Sequence, residues 1–206
     1  MLAISSIRLT KAHLDIVMPF MLVFLSIRLD RQGAERIPQA DACQVEGIYP
    51  ASKYRIKTEN AITTLADACA RGGGPRVIAV LELHKGVVVS WLIGNGDLHG
   101  KNMSIYNPRG IWQPAPAYDL LSTQPYSGWK DPMALNLYGH ANRLTRATFI
   151  DAAERPGLRE RATARMIDEI IDAARGWAAR REEIGFDDRQ TELLAEMLCT
   201  RIKSLE

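Results

Sequence analysis

The sequence predicts an α+β protein dominated by helices, with one short β-hairpin set among them. Three observations predict it. Apolar residues recur at helical spacing in two late stretches, Met166, Ile167, Ile170, Ile171, Ala174 and Trp177, then Leu194, Met197, Leu198 and Ile202. A long, almost wholly apolar run, "VIAVLELHKGVVVSWLI" at 77 to 93, has the length of a core helix. Only "NMSIY" and "GIWQPAPAYDL", joined by the turn "NPRG", read as a strand pair.

Composition bounds the rest. At 206 residues the chain is long enough for one good-sized core, and 47% hydrophobic with 24% charged residues excludes fibrous and disordered classes. Twenty-six basic against 24 acidic side chains leave a formal charge of +2 and no basic tract, so direct nucleic-acid binding is not expected. Cys43, Cys69 and Cys199 are odd in number and far apart, which fits buried apolar residues in a reducing cytoplasm better than disulfides or zinc. "IVMPFMLVFLSI" at 16 to 27 is too short to span about 30 Å of hydrocarbon, so no membrane association is expected.

Taken in order, "FMLVFLSIRL" at 20 to 29 reads as a buried strand stopped by "DRQG". "RIPQADACQVEGIYPASKY" carries Pro38, Gly47 and Pro50 and reads as irregular, with at most a short helical turn. "NAITTLADACA" is helical, and "GGGPR" at 72 to 76 is an interhelical linker, since no Lys-Ser/Thr follows to complete a phosphate loop. The run from 77 to 93 holds only Glu82, His84, Lys85 and Ser90 as clearly polar residues; Gly86 and its valines lower its helix propensity. His13, His84 and His140 lack clustered partners and read as surface or core residues, Trp91 and Trp112 as packing residues. "RPGLRERATAR" at 155 to 165 reads as a solvated helix face.

The chemistry is concentrated in "WLIGNGDLHGKNMSIYNPRG" at 91 to 110. A helix hands over to a loop bearing Asp97, Asn102 follows five positions later, and a hairpin returns the chain to Asp119. Phosphoryl transfer needs these groups: a carboxylate to take a proton from the acceptor hydroxyl, and an amide oxygen with a second carboxylate to hold Mg²⁺ against nucleotide phosphates.

"WLIGNGDLHGKNMSIY", "PAYDLLSTQPY", "SIRLDR" at 26 to 31, "IPQADACQVEGIYPASKY" and "DPMALNLYGH" together resemble the HipA-type serine/threonine kinases, toxins of bacterial toxin–antitoxin pairs. The match runs from roughly residue 23 to 205, with strong motifs up to about 140. It implies a protein-kinase-like C-lobe with the hairpin at its active site. Residues 26 to 206 would form that domain, and 1 to 25 an unrelated or remnant segment with a strand leading to the hinge.

Residue by residue, the resemblance implies Asp97 as catalytic base and Asn102 and Asp119 as magnesium ligands. It places His99, Gly100, Lys101 and Tyr118 beside ATP, Ile27, Arg28 and Leu29 at the adenine, and Asp30 near the ribose. It further implies a helix-turn-helix antitoxin as partner and an aminoacyl-tRNA synthetase as a kind of substrate. A kinase also needs a glycine-rich loop and a strand lysine upstream of the hinge. Here the chain starts about 25 residues before the hinge, with Lys11 as the only lysine there and no glycine, so activity is expected only where those groups are supplied. Two other readings stand beside the kinase: a catalytically dead lobe acting as a binding module, and an aminoglycoside- or choline-kinase-like phosphotransferase, which shares "GDLH" but has a different metal-site pattern from "PAYDLLST".

Overall fold

The structure, a computed structural model, describes residues 30 to 32 and 35 to 206. The expected strand at 20 to 29, with Ile27, Arg28 and Leu29, lies outside the described residues. Arg31–Gln32 (β1) and Glu35–Arg36 (β2) pair antiparallel. The following segment is more ordered than its prolines suggested. Gln39–Asp41 (β3) is a strand, and Ala42–Glu46 (α1) follows at once because Asp41 and Gln44 form a reciprocal capping box. A single turn of 3₁₀ helix, Pro50–Ser52, then leads to Thr58–Arg71 (α2).

After the glycine linker comes Arg76–Ile93 (α3), the expected core helix. Val80, Val87, Val88, Val89, Trp91 and Leu92 are all buried. Burying each such side chain contributes about 1.5–3 kcal/mol, which outweighs a helix-propensity cost of under about 1 kcal/mol for a valine or glycine. His84 and Ser90 are fully buried too, and His84 Nε2–H donates to the carbonyl of Phe149 at 3.0 Å.

Ser104–Tyr106 (β4) and Gln113–Pro114 (β5) form the expected hairpin, with the second strand much shorter than its sequence suggested. β3 joins them as a third strand, the sheet order being β3-β4-β5, all antiparallel, with Ala40 opposite Ile105 and Ile105 opposite Pro114. β3 has only Ala40 as an apolar residue and no alternation to betray it, so its strand character comes from pairing with β4.

A short helix, Gln124–Ser127 (α4), precedes Arg146–Glu154 (α5), Glu160–Ala179 (α6) and Asp188–Leu205 (α7). The two late amphipathic helices are α6 and α7; α5 is not apparent from its pattern, because only Phe149, Ala152 and Ala153 of it are buried. α3 runs through the middle, packed by α2, α5, α6, α7 and β5. Arg201 of α7 reaches back to donate to the carbonyl of Trp91 and stacks its guanidinium 5.2 Å from the Trp91 ring. Burial pushes the Arg201 pKa down to about 10. Cys43 and Cys69 are buried as expected, whereas Cys199 is exposed because it falls on the outer face of α7. Among the described residues no helix is long and apolar enough to cross a membrane.

Candidate phosphoryl-transfer site

α3 stops at Gly94, whose φ of 76° ends the helix and turns the chain into the loop that carries Asp97. Asn95 staples that loop. Its Oδ1 accepts from the Asp97 amide at 2.9 Å, and its Nδ2 donates to the Asp119 carbonyl at 3.2 Å. Thr123 Oγ1 accepts from the Gly96 amide at 3.0 Å. The segments holding Asp97 and Asp119 are therefore tied before any ligand binds.

Asn102 and Asp119 sit on either side of the β4–β5 hairpin. Asn102 Nδ2 donates to Asp119 Oδ2 at 2.5 Å, while Asn102 Oδ1 is buried with no hydrogen-bond partner. Asp119 adopts φ 56°, a left-handed conformation that costs a non-glycine residue on the order of 1 kcal/mol. An orphaned amide oxygen beside an exposed carboxylate suits a hard cation such as Mg²⁺, which takes oxygen ligands and keeps its remaining places for water and phosphate. Among the described residues there is no cluster of three or more His, Cys, Asp or Glu that could hold a metal ion.

Lys101 is exposed, and its carbonyl accepts from the Tyr118 hydroxyl. Burial pushes the Tyr118 pKa up to about 12, so the phenol keeps its proton. Tyr118 and Asp30 line one recess of about 350 Å³, with Arg36, Gln39 and Asp41 on its walls. Gly100 lies against α1: a Cβ there would come within 2.7 Å of Cys43 Sγ and 2.9 Å of Ile56 Cγ2. Its carbonyl and that of Met103 both accept from the Ala42 amide, at 3.0 and 2.9 Å.

Two neighbours of the loop had no role in the sequence reading. Lys53 Nζ lies 2.6 Å from His99 Nε2, and the Tyr54 hydroxyl donates to Asp97 Oδ1 at 2.6 Å. The segment that carries them is tied to the loop by the Gly100 amide, which donates to the Lys53 carbonyl at 3.1 Å. His99 is buried, and burial followed by the Lys53 charge holds its pKa below the usual histidine range. Neutral His99 thus accepts from the Lys53 ammonium. The "SKY" of the proline-flanked segment was the available signal, a cation and a phenol side by side, but nothing local reveals that it folds onto a loop more than 40 positions away.

The site therefore brings together Asp97, His99, Gly100, Lys101, Asn102, Tyr118 and Asp119, with Asp30 at the recess beyond Tyr118.

The chain is 39% identical over 110 residues to the candidate kinase Y4dM of Sinorhizobium fredii, covering 53% of this chain and 26% of that protein. It is 35% identical over 103 residues to a second candidate kinase of that organism, Y4mE, covering 50% and 24%. To the serine/threonine-protein kinase toxin HipA of Shewanella oneidensis it is 27% identical over 125 residues, 52% of this chain and 29% of the toxin. The matched stretch spans under a third of each of these relatives.

The solved structure of Shewanella oneidensis HipA, in complex with HipB and operator DNA, superimposes with a TM-score of 0.66 at 20% identity. It covers 86% of this chain and 47% of that one, and shows a shared fold. Residues 1 to 178 match the model of the HipA-like C-terminal domain, and the chain belongs to that family.

Proposed function

We propose that residues 26 to 206 form a kinase domain that transfers the γ-phosphoryl group of ATP to a serine or threonine hydroxyl of a protein, as the toxin of a toxin–antitoxin pair. The observation that carries this reading is the Asn102–Asp119 pair, an amide and a carboxylate locked at 2.5 Å with the amide oxygen left bare. In that reading Asp97 takes the proton of the acceptor hydroxyl. Asn102 Oδ1 and Asp119 would hold Mg²⁺, which when bound supplies positive charge to the nucleotide phosphates. His99, Gly100, Lys101 and Tyr118 border the phosphates and ribose, and Ile27, Arg28, Leu29 and Asp30 take the adenosine. Lys53 adds a cation held against His99.

The kinship with candidate kinases and with a named kinase toxin supports the reaction class, and the HipB complex of the Shewanella toxin supports an antitoxin as partner. An aminoacyl-tRNA synthetase is the acceptor that the resemblance suggests, and it belongs in the first substrate panel.

The test is calorimetric titration of the full chain with ATP and Mg²⁺, run beside Asp97→Asn and Asp119→Asn. Binding that needs Mg²⁺, survives Asp97→Asn and is lost in Asp119→Asn is the expected result, with phosphoryl transfer falling about 10²–10⁴-fold in Asp97→Asn. Equal binding and transfer in all three proteins would overturn the assignment.

A further inference from the structure

A general base must lie about 2.6–3.2 Å from the hydroxyl whose proton it takes. Asp97 already has a hydroxyl at that distance: the Tyr54 phenol donates to its Oδ1 at 2.6 Å. Resting on the phosphoryl-transfer reading of Asp97, we propose that Tyr54 is a cap on the base, held in the position of the acceptor, which a protein hydroxyl must displace and which keeps water from acting as acceptor.

Three features support a cap that opens. The Tyr54 side chain is half exposed, at 50%, so it can swing into solvent without opening the core. Its backbone is pinned by the Gly100–Lys53 hydrogen bond and by an Arg55–Ser52 turn at 2.8 Å, so rotation of the side chain, not movement of the segment, uncovers Asp97. Lys53 interacts with the phenol, its Nζ lying 4.8 Å from the Tyr54 ring centroid, but it also has its own partner in His99 Nε2 at 2.6 Å, so the ammonium keeps a partner when the phenol leaves.

Displacement carries a cost that sorts acceptors. The phenol–carboxylate bond is charge-assisted and stronger than a neutral one. A water molecule offers Asp97 one replacement hydrogen bond and nothing else. A protein brings contacts made elsewhere on its surface, and that binding energy can be spent on opening the cap. The cap therefore disfavours hydrolysis, in which water oxygen bonds to the γ-phosphorus, the bond to the β–γ bridging oxygen breaks with its electron pair leaving on ADP, and the water proton passes to Asp97.

The experiment uses the full chain with Mg²⁺ and ATP and no protein acceptor. ADP release is measured for the unmodified protein, Tyr54→Phe, Asp97→Asn and the double variant. Tyr54→Phe is expected to raise hydrolysis about threefold or more, with the gain abolished in the double variant. An unchanged or lower rate in Tyr54→Phe overturns the cap, since a residue that only steadies Asp97 loses rate when removed.

A second measurement is independent of activity. The hydrogen bond to Asp97, followed by burial, holds the Tyr54 phenol above its ordinary pKa. Subtracting the phenol absorbance titration of each Tyr54→Phe protein from that of its Tyr54 parent isolates this residue, and its midpoint should fall in Asp97→Asn. An unchanged midpoint overturns the contact and the cap with it. A fallen midpoint with no hydrolysis by any protein overturns the phosphoryl-transfer reading, and hence the cap's role, while leaving the contact standing.

Discussion

Asn102 and Asp119, 17 positions apart, meet across the base of the β4–β5 hairpin through a 2.5 Å hydrogen bond from Nδ2 to Oδ2. The amide is the neutral partner that lets a carboxylate sit so close. Two carboxylates at that separation would repel unless one took a proton or a cation lay between them. Asn102→Asp should therefore lower stability without metal by about 1–2 kcal/mol, the exposure of Asp119 limiting the loss. Added Mg²⁺ should raise the melting temperature of Asn102→Asp more than that of the unmodified protein. Thermal scans with and without Mg²⁺ check both, and equal shifts would overturn the proposal that the pair holds Mg²⁺.

Lys53 and His99 make a second such pair. Burial and then the Lys53 charge depress the His99 pKa, while the Asp97 charge raises it. Lys53→Met removes one of the two depressing causes and leaves burial and the raising causes in place. The His99 pKa should rise, read from its imidazole proton resonances across a pH series. No rise would mean that the ammonium does not rest on the ring in solution.

Gly100 is where the loop that carries Asp97 and Asn102 touches α1. A methyl group there meets Cys43 Sγ and Ile56 Cγ2 inside 3 Å, and both neighbours are buried, so neither can move aside freely. Gly100→Ala should cost about 1–3 kcal/mol in urea unfolding and weaken nucleotide binding, because the displaced loop carries both His99 and Asn102. Gly47→Ala serves as the control: it changes a positive-φ glycine with open space around it, so it should lose stability without the same loss of binding.

His84 gives the core a pH dependence with a definite sign. Burial pushes its pKa down to about 4, against an ordinary 6.5. Between those values the unfolded chain binds a proton that the folded chain refuses, so stability rises with pH across this window and is lost as pH falls from about 6.5 towards 4. The full difference is on the order of 3 kcal/mol. Urea unfolding at pH 7, 5.5 and 4.5 should show this slope in the unmodified protein and a shallower one in His84→Gln.

Long-period signals were easy to see in the sequence. α3, α6 and α7 follow from apolar spacing, and Asp97, Asn102 and Asp119 stand out as candidates by residue type and separation. β3 and α5 were hidden because the first is made by its partner strand and the second buries only three small or aromatic residues. Tyr54 and Lys53 were hidden for a related reason. Their meaning lies in a contact with Asp97 and His99 across 43 and 46 positions, which no local pattern encodes.

The grip of Arg201 on the Trp91 carbonyl joins residues 110 positions apart. A ribosome therefore completes the Asp97 loop long before it makes the side chain that braces the helix feeding that loop. Until α7 has emerged and docked, the C-terminal turn of α3 lacks this partner and Trp91 lacks its cover. The order of synthesis thus separates the writing of the site from its assembly, and a nascent chain carries the sequence of the loop well before it carries its shape.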